Sequence, residues 1–272
     1  MVVAAALRLQ PPVGGPWRQR KRSEFPHGHW RIGPRGESFR APPAHWRTPA
    51  LAHPFGTSPV LVTSAPTTLT NATLRQGVRA LASADAGLAA IVERYGDPPM
   101  WGRPRGFATL VQIILEQQVS LAAAATMYAR IERSLGGMTP AIVRRSGVAA
   151  LQGLGVTRQK SAYIVALADR VVDGSLPLAS LPRRPDAEVA ELLVRVPGIG
   201  PWTASIYLLM ALRRPDVWPP GDLALHKAMS RLPSFGRVPS SDEAAGHALR
   251  WRPWRAVAAR ILWHGYLSDR QR

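Results

Sequence analysis

Apolar residues recur at helical spacing through most of this chain, but only after about residue 72. Leu74 to Ala82 and Asp85 to Tyr95 read as short helices, closed by the breaker Gly96-Asp97-Pro98-Pro99. Phe107 to Glu116 places Phe107, Leu110, Val111, Ile114 and Leu115 on one face, and Leu121 to Leu135 is alanine-rich at its start. Short helical turns follow over Ala141 to Leu151. Arg158 to Val172 carries Ala162, Ile164, Val165, Ala168 and Val172 at helical positions. The run from Asp186 to Val196 has apolar residues at 189, 192, 193 and 196 and is stopped by Pro197 and Gly198. Pro201 suits the first position of a new helix reaching Leu212, so two helices form a hairpin about a tight turn. Asp222 to Leu232, Asp242 to Arg250 and Pro253 to Leu267 complete the series. No strand alternation appears after residue 72, and the pattern predicts an all-α domain over 73–272.

Residues 1–72 lack such a period. Pro11-Pro12, Gly14-Gly15, Pro42-Pro43 and the basic run Arg18-Gln19-Arg20-Lys21-Arg22 punctuate them, and Val60-Leu61-Val62-Thr63 is a candidate short strand. They read as a poorly ordered basic arm, suited to nonspecific attraction to DNA; a misassigned start accounts for them almost as well. Met1 to Leu9 is too short and weakly flanked for a secretion signal.

Charge narrows the partners. The 272 residues carry 35 basic and 17 acidic side chains, a formal charge of +18. Only Lys21, Lys160 and Lys227 are lysines, so arginine, which pairs bidentately with phosphate, supplies the excess. A polyanion fits that balance, as does the arginine bias of a GC-rich genome. The absence of cysteine excludes disulfides, cysteine-ligated zinc and cysteine-held iron–sulfur clusters. No apolar run approaches the roughly 18 residues of a membrane span.

The turn Pro197-Gly198-Ile199-Gly200 bears no side chain at Gly198 or Gly200, so a phosphate can approach its amides, and the helix from Pro201 adds its positive end. Gly221-Asp222-Leu223-Ala224-Leu225 follows about twenty residues later, and Gln117-Gln118-Val119-Ser120 lies upstream between two helices. Taken together, Val196 to Ala204, the Asp222 segment and the Gln117 loop resemble the helix-hairpin-helix DNA glycosylase superfamily (HhH-GPD). The similarity is nearest to its alkylated-base branch, the 3-methyladenine DNA glycosylase II type, and extends over roughly Leu81 to Leu267.

That resemblance implies a helical domain of two lobes with a DNA cleft between them and Asp222 at the cleft floor. A carboxylate there stabilises the positive charge that grows on the deoxyribose C1′, and orients or deprotonates water. Asp222 is equally suited to cap the helix from Leu223, and a cap would hold it still. The bifunctional members carry a lysine just after the hairpin; here the position is Trp202, which implies water as the nucleophile and no strand cleavage. Trp202, Trp218 and Trp263 match or adjoin positions that line the base pocket, where an indole face attracts a cationic methylated purine; the other reading of each is core packing. Ile206 departs from relatives that place a tyrosine there. Gln118, with Gln117, matches the residues that fill the gap left by a flipped base, or the segment is a polar turn with Ser120 as N-cap. Val196, Gly198, Ile199, Gly200 and Thr203, with Ser120 and Lys160, are the expected contacts to the DNA backbone. Lys160 belongs to a second turn-helix after Gly153-Leu154-Gly155.

The expected function is therefore monofunctional excision of 3-methyladenine or 7-methylguanine type bases from double-stranded DNA. The expected enzyme is a monomer, cytoplasmic, and requires no cofactor; the resemblance allows a structural Na⁺ or K⁺ at the hairpin carbonyls. Two alternatives stand beside it: a glycosylase for mismatched or deaminated bases, and a noncatalytic DNA-binding protein. The Gly198-Ile199-Gly200 run is not a dinucleotide fingerprint, since a helix precedes it and the last glycine is missing. His226 and His264 have no partners at metal-ligand spacing and read as packing or surface residues.

Overall fold

The computed structural model describes residues 68–270. Among them lie eleven α-helices and no strand: α1 (Asn71–Ala84), α2 (Ala86–Tyr95), α3 (Phe107–Glu116), α4 (Leu121–Leu135), α5 (Pro140–Gly153), α6 (Arg158–Val172), α7 (Asp186–Val194), α8 (Pro201–Ile206), α9 (Leu223–Met229), α10 (Ser241–Ala248) and α11 (Arg255–Asp269). The all-α expectation holds. The basic arm and the candidate strand at Val60 to Thr63 lie outside the described residues.

Side-chain caps explain most helix starts. Thr70 and Thr73 form a reciprocal capping box at α1, and Ser240 and Glu243 form one at α10. Asp85, Ser120, Thr139, Thr157 and Asp222 accept first-turn amides of α2, α4, α5, α6 and α9. The domain begins a few residues before 73: Leu69 is fully buried, and its amide donates to the Arg213 carbonyl at 2.7 Å. α7 stops at Val194, short of Val196, and a 3₁₀ turn at Leu181–Arg183 precedes it. The helix expected to run from Pro201 to Leu212 changes to π-helical bonding over Tyr207–Ala211. The expected turns of Ala141 to Leu151 are one longer helix, kinked at Gly147, whose φ is +72°.

The helices form two groups. In one, α11 packs against α1, α2 and α9; in the other, α3 packs against α4, α6 and the π segment, α5 lies on α6, and α7 on α8. Helices α3 and α11 are apolar on several faces because each is surrounded: Leu110, Val111 and Ile114 of α3, and Val257, Ile261, Leu262 and Trp263 of α11, are fully buried. Arg260 joins the groups. It is completely buried on α11 and donates to the carbonyls of Met100, Ala256 and Leu209 at 2.8–3.0 Å. Burial depresses its pKa to about 9, so the carbonyl acceptors are what offset the desolvation of its charge.

Candidate active site

Asp222 stands where the two groups meet. Its Oδ1 accepts from the Leu225 amide at 3.0 Å and from Trp263 Nε1 at 3.2 Å, and its Oδ2 accepts from Trp202 Nε1 at 3.0 Å. Helix α8 thus supplies one indole and α11 the other, while α9 supplies an amide of its first turn. Asp222 caps α9 and is held as well by two indole donors. Only 5% of it is exposed. With Oδ1 engaged twice, Oδ2 keeps the lone-pair capacity to face a reacting group.

The tryptophans divide by burial. Trp202 is half-buried and joins its N–H to Asp222, so the edge of its ring borders the carboxylate. Trp263 is fully buried, and its N–H donates to Asp222 from the interior of α11. Trp218 departs further from expectation. Its ring lies 5.6 Å from that of Trp251, which packs in turn on His247 and, beyond it, Phe235. This aromatic cluster is core, and the Trp251 indole N–H is directed to Asp85, the cap of α2. Ile206 is also buried.

The hairpin turn takes the expected form. Gly198 has φ +84°, and a Cβ there would stand 2.2 Å from Cδ2 of the Tyr163 ring, so glycine is required twice over. Val196 and Ile199 are buried and anchor the turn, with the Ile199 amide closing on the Val196 carbonyl at 3.0 Å. Gly200 is exposed, and Ala204 is the first residue of α8 whose amide bonds back, to Gly200. The preceding amides of Gly198, Gly200, Trp202 and Thr203 are left for an external acceptor.

The 117–120 loop divides as well. Gln118 and Val119 are exposed, and Gln118 holds a φ of +58°. Gln117 points the other way: its Nε2 donates to the Gly198 carbonyl at 2.9 Å and to Thr203 Oγ1 at 3.3 Å. Here it tethers the loop to the hairpin. Ser120 caps α4 and is exposed, which leaves its hydroxyl hydrogen for a phosphate. Lys160 is likewise engaged within the protein. Its ammonium donates to the carbonyls of Leu115 and Gln117 at 2.7 and 2.6 Å, so it braces the end of α3, and burial holds its pKa below the usual lysine value.

Sequence reasoning missed three neighbours. Glu116 forms a buried bidentate pair with Arg103 at 2.9 and 3.1 Å; desolvation raises its pKa, opposed by Arg103. Tyr163 seats Gly198; a ring one helical turn beyond Lys160 gave no warning of it. His226 follows Asp222 by one turn of α9 and is buried with Nε2 unpartnered. Burial lowers its pKa, and the Asp222 charge opposes the shift. A cavity of about 300 Å³ between α2, α9 and α11, bordered by Ile91, Tyr95, Arg231 and Tyr266, lies at the far end of α9 from Asp222. No group of three or more metal-ligating side chains occurs among the described residues, and no helix among them is long and apolar enough to cross a membrane.

Known proteins place these features in one lineage. The chain is 27% identical over 195 residues to a DNA-3-methyladenine glycosylase of Bacillus subtilis, covering 67% of this chain and 64% of that one. It is 31% identical over 166 residues to DNA-3-methyladenine glycosylase 2 of Escherichia coli, covering 57% and 55%. It therefore spans less than two thirds of either relative. The crystal structure of a DNA-3-methyladenine glycosidase from Bacillus halodurans superposes with a TM-score of 0.63 at 30% identity, over 72% of this chain and 91% of that one. A family model described as HhH-GPD superfamily base excision DNA repair protein matches residues 111–253, more than half of the chain, from within α3 to just beyond α10. By that match, and by the hairpin, loop and carboxylate already described, the chain belongs to the HhH-GPD superfamily of base excision DNA repair proteins.

Proposed function

We propose that this protein is a monofunctional DNA glycosylase that flips alkylated purines of the 3-methyladenine and 7-methylguanine type out of double-stranded DNA and hydrolyses their glycosidic bond. The observation that carries this reading is the Asp222 carboxylate, buried, held by three N–H donors, and placed after a hairpin with unpaired amides. The relatives named for 3-methyladenine removal support it.

The chemistry follows from charge. A purine methylated at N3 or N7 is cationic, and as the C1′–N bond breaks the bonding pair leaves with the base, which departs neutral. Positive charge passes to C1′ and its ring oxygen. Asp222 attracts that charge more strongly in the transition state than in the bound substrate, which is the condition for acceleration. Water adds to C1′, loses its proton to Asp222 or to solvent, and leaves an abasic sugar. Trp202 stands where a Schiff-base lysine would be needed, and the ammonium of Lys160 is bound to two carbonyls, so neither position offers an amine to break the strand. The exposed Gln118 fills the vacated stack, while the hairpin amides and Ser120 hold phosphates.

The hairpin also suits a Na⁺ or K⁺. Hard cations take carbonyl oxygens, and the carbonyls of Val196 and Gly198, each accepting one protein hydrogen bond, retain a second lone pair. Such an ion would screen a bound phosphate; the residues above supply the rest of the site.

The test is release of free base from methylated duplex DNA, with strand breaks scored before and after hot alkali. The expected result is release by the wild type, breaks only after alkali, and loss of release in Asp222→Asn with DNA binding kept. Release unchanged in Asp222→Asn would overturn the assignment. Tight DNA binding with no base released from a lesion panel would overturn the enzyme reading itself.

A further inference from the structure

We propose that Lys160 and Gln117 are positioning residues that couple the hairpin's hold on the DNA backbone to the entry of the 117–120 loop into the base stack. The inference rests on the function proposed above and assigns to these side chains a task distinct from touching DNA.

A helix ending at residue 116 leaves its last carbonyls without amide partners. Here the Gln117 amide reaches Ile114 and the Val119 amide reaches Glu116, but the carbonyls of Leu115 and Gln117 receive no amide. Both are taken by the ammonium of Lys160, from the first turn of α6. A cation at that place also complements the negative end of α3. The bonds to Leu115 and Gln117 fix the backbone immediately before Gln118. That matters because Gln118 occupies left-handed backbone space, which side chains other than glycine seldom adopt.

The side chain of Gln117 completes the link. It leaves the loop and binds the hairpin twice, at the Gly198 carbonyl and the Thr203 hydroxyl. Helix α6 closes the figure: Lys160 supports the loop, and Tyr163, three residues on, lies against Gly198. Two of the three ammonium donors of Lys160 are held by the Leu115 and Gln117 carbonyls, and the Gln117 Nε2 makes both of its hydrogen bonds to the hairpin. The same groups join the segment that receives phosphate to the segment that carries Gln118, so displacement of one is transmitted to the other. On this account the hairpin's grip sets the depth and angle at which Gln118 meets the stack.

The coupling is needed most when the lesion is stacked and paired, and least when it is already unpaired. Single-turnover base release would be measured on one methylated guanine, either paired in a duplex or placed in a short unpaired bubble of the same sequence. Lys160→Met should slow release from the paired site by roughly tenfold or more, as expected for losing a charged donor to two carbonyls, and slow the bubble site far less. Gln117→Met should show the same asymmetry, and Lys160→Arg should restore most of the paired-site rate. Thermal melts would verify that each variant is folded. Equal losses on the two substrates, or no loss on either, would overturn the proposal. If the wild type releases no base from either substrate, the glycosylase reading fails. The coupling would then be read by 2-aminopurine fluorescence beside an abasic-site analogue, where unchanged loop insertion in both variants would overturn it.

Discussion

The buried indole of Trp263 donates its N–H to Oδ1 of Asp222 across 41 residues of sequence, from the interior of α11 to the cap of α9. Asp222 is thereby held from behind by a ring that has no solvent face. Trp263→Phe keeps most of the packing volume and deletes the donor. Hydrogen bonds to charged groups contribute about 1.5–3 kcal/mol, so single-turnover base release should slow by roughly ten- to a hundredfold. Affinity for a duplex with an abasic-site analogue, measured by fluorescence anisotropy, should change little. An equal loss of affinity would show that Trp263 shapes the DNA surface instead.

Gly198 gives a prediction with two separable causes. Alanine there meets the Tyr163 ring and must also adopt a φ of +84°. Gly198→Ala should lower the thermal midpoint and weaken DNA binding, with a left-handed cost of about 1–2 kcal/mol before the clash is counted. Adding Tyr163→Ala removes the obstruction but not the backbone cost. The double variant should therefore recover part of the lost DNA affinity and stop short of wild type. Full recovery would mean that the backbone angle is unimportant.

How the sequence encodes this site explains where reading it succeeds. The bounds of α4 and α6 follow from their apolar period and caps, and those of α3 from its apolar period, since those features act locally. Gly198 is legible because a tight turn demands glycine and Asp222 because a cap favours aspartate, whereas Gln118 stands out only through the resemblance of its loop to the family. What stayed hidden depends on tertiary approach. A tryptophan at helical spacing looks the same whether its N–H faces a carboxylate, as in Trp263, or finds no partner within an aromatic cluster, as in Trp218. Lys160 appeared to be a phosphate contact because it follows a Gly-rich turn; only the placement of α6 against the end of α3 turns its ammonium inward. The π segment at Tyr207–Ala211 has no apolar period of its own, and the Tyr207 hydroxyl that accepts from the Gly106 amide lies 101 residues away from it in sequence.

The buried Arg103–Glu116 pair makes stability at the α3 terminus depend on pH. Both side chains are under 10% exposed. Arg103→Met would strand a carboxylate and cost roughly 3–5 kcal/mol at neutral pH. Glu116 is raised from its ordinary value of 4.5 in the folded protein, so its folded form holds a proton more tightly than its unfolded form. Such a group supports stability below that ordinary value and loses the support as pH rises through the folded value. Removing Arg103 takes away the one influence that lowers it. The penalty of Arg103→Met should thus be small near pH 4.5 and grow toward neutrality. Glu116→Gln in the same background should flatten that dependence, as measured by chemical denaturation.

His226 has the opposite sign. Its folded pKa is lowered by burial from 6.5, so its contribution to stability is complete above that value and is lost as pH falls through the folded value. Protonation would also set a positive charge one helical turn from Asp222, offsetting the negative charge on which the proposed transition state depends. Both effects act in one direction. His226→Gln should shallow the fall in thermal midpoint between about pH 6.5 and pH 5, and retain a larger fraction of neutral-pH base release at the acid end. Measuring both separates the causes. If the midpoint responds and base release does not, the imidazolium does not act on the Asp222 charge and His226 is a packing residue alone. If both respond, the ring acts on the reaction through the field at Asp222, since its own Nε2 is buried behind the site.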